Sequence, residues 1–147
     1  MQLWTDGSFQ QIGERTKCGV GILIRRLALD CETLKRKVQE HKFSVSLQQV
    51  DDNNLAELYA IQYGLFKISQ LRLHEKEQNL SIITDSQTAI NLINGTQPPK
   101  KQAYKEAVDD IRWRLRKYNY KLYWKKGHAD CDRQILCDRL AKKARNR

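Results

Sequence analysis

The stretch Leu80-Ser81-Ile82-Ile83-Thr84-Asp85-Ser86-Gln87 decides the fold class of this chain. Its first five residues are apolar on both faces, which is typical of a strand covered by helices on both sides of a sheet. We therefore expect this strand at the centre of the sheet. Residues 86–93 predict a short helix, because Asn94-Gly95 is a turn signal that ends it. A buried strand followed directly by a helix indicates an α/β architecture.

Three further strands are predicted before this one. Residues 2–6 and 43–47 alternate apolar and polar side chains, and residues 18–25 are rich in Gly, Val and Ile. Three strands in succession favour an antiparallel meander. Residues 34–38 fit either the third strand or a loop, and the pattern leaves both open.

Two long amphipathic helices are predicted over residues 53–71 and 101–118. In both, apolar residues recur three or four positions apart, as they do on one face of a helix. The recurring positions are Leu58, Ile61, Leu65 and Ile68 in the first helix, and Tyr104, Val108, Ile111, Leu115 and Tyr118 in the second.

A last strand over residues 121–125 and a closing helix from about Asp132 complete the predicted elements. The order βββαβα(α)βα predicts an α/β fold in which helices flank a five-stranded mixed sheet. The sequence contains no linker, internal repeat or low-complexity tract, so we expect residues 1–147 to form a single domain.

The chain carries an excess of positive charge. Its 147 residues include 27 Lys and Arg against 17 Asp and Glu, which gives a formal net charge of +10 and a pI near 9.6. A basic domain of this kind commonly binds a polyanion through phosphate contacts, and a solvated surface explains the same composition equally well. With 40% hydrophobic residues the chain is too apolar for a disordered basic tail.

The sequence contains no apolar run of about 18 residues and no charged-then-apolar leader. We therefore expect neither membrane binding nor secretion, and we place the protein in the cytoplasm, with a nuclear or organellar location left open. The four cysteines form no CxxC pair, so reduced thiols are expected.

Two aspartates, Asp6 and Asp85, fall at the ends of predicted strands. The carboxyl ends of neighbouring strands in an open α/β sheet face one crevice, so these carboxylates converge if their strands are adjacent. Paired carboxylates favour a hard divalent cation such as Mg²⁺. The alternative is that each aspartate starts a turn or caps a helix, with Asp85 capping the helix after it.

Two further acidic residues have simple structural explanations. Glu57 stands three positions after Asn54, which fits a capping box at the start of the first long helix. Asp138 stands one turn before Lys142, which fits an exposed ion pair on the closing helix.

His128 lies in Lys126-Gly127-His128-Ala129, between the last strand and the closing helix. A zinc site built with Cys131 and Cys137 is disfavoured, because it lacks a fourth ligand and the usual two close pairs of ligands. An exposed loop histidine is the other simple explanation.

Four motifs in order resemble those of the type 1 ribonuclease H family, and the resemblance covers nearly the whole chain. The ten-residue interval from His128 to Asp138 also matches the family. The motifs are Thr5-Asp6-Gly7-Ser8, Asn53-Asn54-Leu55-Ala56-Glu57-Leu58, Thr84-Asp85-Ser86-Gln87, and Lys126-Gly127-His128 with Cys137-Asp138-x-Leu140-Ala141.

The resemblance implies a ribonuclease H-like fold and an endonuclease that hydrolyses the RNA strand of RNA/DNA hybrids. It implies a two-metal-ion mechanism with Mg²⁺, or alternatively Mn²⁺, that leaves 5′-phosphate and 3′-hydroxyl ends. His128 is implied to assist proton transfer or product departure. The implied metal ligands are Asp6, Glu57, Asp85 and Asp138.

The resemblance also implies substrate contacts. Asn53, Asn54 and Gln87 are expected to reach the minor groove, where the 2′-hydroxyl distinguishes RNA from DNA. Lys100 and Lys101 offer a short basic segment for the phosphate backbone. The remaining candidates from the same motifs are Gly7, Ser8 and Ser86. We expect a monomer that binds RNA/DNA hybrid, with duplex RNA as a further substrate.

This chain departs from the family pattern in several places. Asp52 stands where the family commonly has Thr in a pocket for a DNA-strand phosphate, and an acid there would repel phosphate. Gln134 replaces a common Asn, and the segment between Asp85 and His128 is shorter than in members with a long basic handle. These departures keep a second hypothesis open, a catalytically idle module that binds hybrid or duplex RNA. Junction resolvases and integrases rank third, because they lack the Asn pair and the Lys-Gly-His motif.

Overall fold

The computed structural model describes residues 1–126 and 131–147, and the element order there confirms the predicted α/β pattern. The strands are β1 (Gln2–Ile12), β2 (Arg15–Leu29), β3 (Arg36–Leu47), β4 (Asn79–Thr84) and β5 (Asn119–Trp124). The helices are α1 (Asn53–Gln70), α2 (Gln87–Asn94), α3 (Gln102–Leu115) and α4 (Asp132–Arg145), and a 3₁₀ turn, Leu73–Glu75, follows α1.

The five strands form one mixed sheet in the order β3-β2-β1-β4-β5. β1 and β3 both pair antiparallel with β2, whereas β4 lies parallel to β1 and β5. The predicted meander and mixed sheet are therefore confirmed. The expectation that residues 80–84 form the central strand is wrong, because β1 holds that position. β4 is nevertheless covered on both faces, with Ile82 buried on one and Ile83 on the other.

The first strands are longer than their apolar patterns predict. β1 continues past Asp6, and its ladder with β2 extends to the pair Ile12 and Arg15, although the side chains there are exposed. Residues 36–38 belong to β3, which decides the segment that the sequence left open. Leu34 lies in the preceding turn with a φ of 58°.

The main core lies between the sheet and α1, with α2 and α3 beside it. Leu58, Ile61 and Leu65 on the predicted face of α1 are fully buried. Burying one such side chain stabilises the fold by about 1.5–3 kcal/mol. None of the helices in the described part of the chain has the length and apolar character that a membrane crossing requires.

On the other face of the sheet, small residues let α4 lie directly on β2 and β3. A Cβ atom on Gly19 or Gly21 of β2 would meet backbone atoms of α4. The hydroxyls of Ser44 and Ser46 on β3 donate hydrogen bonds to two carbonyls of α4, with O···O distances of 2.5 and 2.6 Å. The position of α4 over the sheet is therefore set by backbone contact.

We expect Gly21→Ala to lower the free energy of unfolding by about 1–3 kcal/mol, because overpacking a close contact costs that much. The new methyl group would lie 2.8 Å from the Ala141 nitrogen and would meet the Cys137 carbonyl oxygen. Chemical denaturation measures the change.

The control for this variant is Gly13→Asn. Gly13 has a φ of 62°, and in the described part of the chain no atom beyond its two sequence neighbours lies within 4 Å of an added Cβ. Asparagine tolerates that conformation. Its stability should change by less than about 0.5 kcal/mol. Equal losses of stability in the two variants would contradict the conclusion that α4 lies in backbone contact with β2.

Candidate active site

Asp6 lies inside β1, on the sheet face that α4 covers. Trp4, two residues earlier and therefore on the same face, packs with Leu23 in the core beneath α4. Gly21 stands opposite Asp6 in the ladder, so no side chain crowds the carboxylate from that strand. The prediction that Asp6 ends the first strand is wrong, because β1 continues to Ile12. Asp6 is only 4% exposed.

Asp85 directly follows β4 and lies beside Asp6. β1 and β4 run parallel, and Trp4 pairs with Ile83. Each aspartate comes two residues after one member of that pair, so both side chains leave the sheet at the same edge and on the same face. The predicted convergence of Asp6 and Asp85 is confirmed.

The helix after Asp85 is capped by its neighbour. Ser86 is the N-cap of α2, and its Oγ accepts a hydrogen bond from the Ala89 N–H at 3.1 Å. The alternative that Asp85 caps this helix is therefore wrong. The Asp85 carbonyl oxygen accepts a hydrogen bond from Trp124 Nε1 at 3.1 Å, which connects the turn after β4 to the end of β5.

Glu57 reaches the two aspartates from the first turns of α1. A Cβ on Gly7 would lie 2.7–2.9 Å from backbone atoms of Ala56 and Glu57, so the glycine lets α1 approach β1 closely. The capping-box explanation for Glu57 is wrong, because Asp52 is the N-cap of α1 and accepts a hydrogen bond from the Leu55 N–H at 2.7 Å. Glu57 is instead buried, with 5% of its surface exposed.

These three acids form a compact group, and a fourth adjoins it. One carboxylate oxygen from each of Asp6, Glu57 and Asp85 lies within 4.8 Å of the others. Asp138 on α4 adjoins this group, and its charge helps to raise the pKa of Asp6. Its Oδ2 also pairs with Lys142 Nζ at 2.9 Å, so the predicted ion pair is present as well. We call Asp6, Glu57, Asp85 and Asp138 the acidic cluster.

The acidic cluster opposes its own ionisation. Burial, together with the nearby charges of Asp85 and Asp138, raises the pKa of Asp6 to about 8. The pKa of Glu57 is also raised, first by burial and then by the charges of Asp6 and Asp85. Carboxylates this close cannot all be ionised at neutral pH unless a positive charge lies among them.

The donor set of the acidic cluster fits a hard divalent cation. It offers carboxylate oxygens, which Mg²⁺ and Mn²⁺ prefer over nitrogen or sulfur ligands. Glu57 Oε2 is buried without a hydrogen-bond partner among residues 1–126 and 131–147. A buried carboxylate oxygen without a donor is costly, and a bound cation would satisfy it.

Three residues predicted to contact substrate are exposed near the acidic cluster. Asn53 and Asn54 form the first turn of α1, one turn before Glu57, and Gln87 begins α2 after Asp85. The Gln87 side chain donates a hydrogen bond to Asn91 Oδ1 at 3.2 Å.

The other substrate candidates divide into structural and exposed positions. Gly7 lies against α1, and the Ser8 hydroxyl is buried, where it accepts a hydrogen bond from Arg145 at 2.9 Å. Ser86 is the α2 cap described above. Lys100 and Lys101 are exposed before α3, and Lys101 Nζ donates to Asp52 Oδ2 at 2.6 Å.

His128 lies outside the described residues. The structure adds Gln134 of α4, which is 2% exposed and whose Nε2 donates to the Thr5 carbonyl at 3.4 Å. Gln134 departs from the family pattern, and its sequence position alone gives it no role. Gln134 stands one turn before Asp138 on the same helical face, and this spacing is the sequence feature that places it beside the acidic cluster.

A model of the RNase H family matches residues 1–146 of the chain. No relative among curated protein sequences matches it. RNase H1 from the halophilic archaeon Halobacterium salinarum NRC-1 is similar in structure, with a TM-score of 0.72 and 14% sequence identity, covering 97% of this chain and 95% of that one.

Two other solved structures are similar. LC11-RNase H1, solved in complex with RNA/DNA hybrid, has a TM-score of 0.73 and 18% identity over 99% of this chain and 96% of that one. The protease-reverse transcriptase of prototype foamy virus has a TM-score of 0.68 and 19% identity over 98% of this chain but 20% of that much longer one. At these identities the likeness establishes the fold.

The sheet order, the acidic cluster at its edge and the family match over residues 1–146 agree with one another. The resemblance inferred from the four motifs is thereby confirmed. This chain belongs to the RNase H family.

Proposed function

We propose that this chain is a ribonuclease H that cleaves the RNA strand of RNA/DNA hybrids endonucleolytically, and that residues 1–147 form its catalytic domain. The acidic cluster carries this proposal, because Asp6, Glu57 and Asp85 bring oxygens within 4.8 Å of one another and Asp138 adjoins them. The hybrid bound to LC11-RNase H1, which shares the fold, supports the choice of substrate.

The acidic cluster would hold two Mg²⁺ ions, with Mn²⁺ as an alternative. When bound, such ions would supply activation of a water and stabilisation of the leaving oxygen, and the expected products carry 5′-phosphate and 3′-hydroxyl ends. The chain's own contribution is to hold the four carboxylates at fixed positions. Gly7 and Gly21 do this by letting α1 and α4 approach the sheet closely.

Recognition of the RNA strand is assigned to amides beside the acidic cluster. The exposed side chains of Asn53, Asn54 and Gln87 can donate to and accept from a 2′-hydroxyl in the minor groove. Lys100 supplies a positive charge for the backbone. Three residues hold the elements around this surface in place through the contacts described above, namely Gly7, Ser8 and Ser86. For His128 we propose a role in proton transfer or in product departure.

A second function, an idle module that binds hybrid or duplex RNA, has less support. Such a module has no need of a costly acidic cluster, and each of its carboxylates is retained here. Duplex RNA remains a proposed additional substrate, because it also presents 2′-hydroxyls in a wide minor groove.

A cleavage assay on three matched duplexes tests the proposal. We expect cleavage of the RNA strand in RNA/DNA hybrid, no cleavage of duplex DNA, which lacks the 2′-hydroxyl, and loss of activity in EDTA. Labelled strands resolved on a denaturing gel report the products. Cutting of duplex DNA, or full activity in EDTA, would contradict the assignment.

We expect Asp85→Asn to reduce cleavage by more than about 100-fold, because even residues that only orient metal ligands cost 10- to 100-fold when they are changed. Hybrid binding should persist, since the substrate contacts are assigned to other residues. Asp109→Asn, the same chemical change at an exposed position on α3, is the matched control and should leave the rate unchanged. Normal cleavage by Asp85→Asn would refute the role of the cluster.

The raised pKa of Asp6, about 8 against 3.8 for a free aspartate, predicts a pH dependence of stability. Between these values the folded protein holds a proton that the unfolded chain releases, so the free energy of unfolding in EDTA should fall as pH rises from 5.5 to 8.5. Mg²⁺ should restore stability and raise Tm more at pH 8.5 than at pH 5.5.

The control for this measurement is Asp6→Asn, which should flatten the pH dependence and reduce the response to Mg²⁺. Thermal unfolding at constant ionic strength gives both quantities. A Tm that does not respond to Mg²⁺ at pH 8.5 would argue against a cation in the acidic cluster.

A further inference from the structure

Asp52 occupies the amino end of α1. It is the N-cap residue, with an extended backbone (φ −151°, ψ 162°), and its Oδ1 accepts the Leu55 N–H at 2.7 Å. The free N–H groups and the dipole of a helix make its amino end a ready site for a phosphate. In this chain a carboxylate of the protein fills that place.

Lys101 reaches Asp52 from the start of α3. Its Nζ lies 2.6 Å from Asp52 Oδ2 and 3.9 Å from Asp51 Oδ1. The same ammonium lies 5.5 Å from the centre of the Tyr104 ring, a cation–π distance. Three contacts therefore hold a lysine that sequence analysis assigned to the phosphate backbone.

The pair is ionised at neutral pH. Burial disfavours the charge of Asp52, but hydrogen bonds from Lys101, Leu55 and Tyr104 outweigh it and lower its pKa. The hydrogen bond to Asp52 raises the pKa of Lys101. Asp52 directly precedes Asn53 and Asn54, so the pair lies beside the amides proposed to read the substrate.

Lys100 provides a direct comparison. It is the neighbouring residue and exposed, and the described residues give it no ion-pair partner. The two adjacent lysines therefore differ in their capacity to bind a phosphate, because the charge of Lys101 is balanced by Asp52 and that of Lys100 is not.

We propose that Asp52 and Lys101 act together to determine substrate binding by closing the amino end of α1 to a substrate phosphate. Lys101 is then a positioning residue that neutralises Asp52, and the hybrid binds here through amides and through Lys100. This inference rests on the proposed function, since it takes an RNA/DNA hybrid as the polyanion.

A double-mutant cycle tests the pair. The Kd of a hybrid of fixed length is measured between 50 and 200 mM salt in metal-free buffer, where no cleavage is expected. The proteins are wild type, Lys101→Met, Asp52→Asn and the double variant. Asparagine caps helices as well as aspartate does, so Asp52→Asn keeps the cap and removes the charge.

Asp52→Asn should free Lys101 and the helix end for one phosphate. Each phosphate contact adds about 0.9 to the slope of log Kd against log salt, which is roughly a 3.5-fold larger change in Kd between 50 and 200 mM. We expect Asp52→Asn to bind more tightly with a slope steeper by about 0.9, and Lys101→Met to remove that gain. In the wild-type background Lys101→Met should leave the slope unchanged.

Two results would overturn the proposal. One is that Lys101→Met lowers the slope of log Kd against log salt equally in the wild-type and Asp52→Asn proteins. This would show that Lys101 already contacts a phosphate in the wild type. The other is an Asp52→Asn variant with unchanged Kd and slope. Lys100→Met is the matched control and should weaken binding equally in both backgrounds, and Asp52→Ser, another good cap, repeats the test if Asp52→Asn unfolds.

The outcome is separable from the proposed function. A wild-type protein that binds hybrid but does not cleave it would refute the ribonuclease assignment, yet the salt series would still report on Lys101 and Asp52. Conversely, the wild-type protein could cleave hybrid normally while the effects of Asp52→Asn and Lys101→Met on Kd and on the salt slope are additive. That result would refute the coupling of Asp52 and Lys101 and leave the ribonuclease assignment intact.

Discussion

The parallel pairing of β1 with β4 is the contact on which the site depends. It aligns Leu3 with Ile82 and Trp4 with Ile83. Asp6 stands two residues after Trp4, and Asp85 stands two residues after Ile83, directly past the end of β4. A slip of one residue in this ladder would turn one carboxylate to the opposite face. The register of this ladder therefore sets the distance between the two acids.

Helix packing on the two faces of the sheet adds the other two acids. Gly7 lets α1 bring Glu57 to Asp6 from one side, and Gly19 and Gly21 let α4 bring Asp138 from the other. The core must therefore hold four acids that repel one another when ionised. A divalent cation would relieve that repulsion, so binding of such an ion would stabilise the fold.

The predictions that succeeded rest on residues close together in the chain. The spacing of Leu58, Ile61 and Leu65 predicted the buried face of α1, and the strand ending at Thr84 placed Asp85 correctly. Capping was harder to predict, because Asp52 and Asn54 are both good caps. The structure assigns the cap to Asp52, which Lys101 contacts from 49 residues away.

The sequence by itself determined the order of the elements and the apolar faces of the helices, since local periodicity encodes them. The four acids were singled out by their resemblance to the family motifs. Only the tertiary structure decided that Glu57 is buried beside Asp6 instead of capping α1, that Ser86 and not Asp85 caps α2, and that Lys101 is paired with Asp52. These contacts depend on how closely each helix lies on the sheet, and that distance is set by packing between residues far apart in the chain.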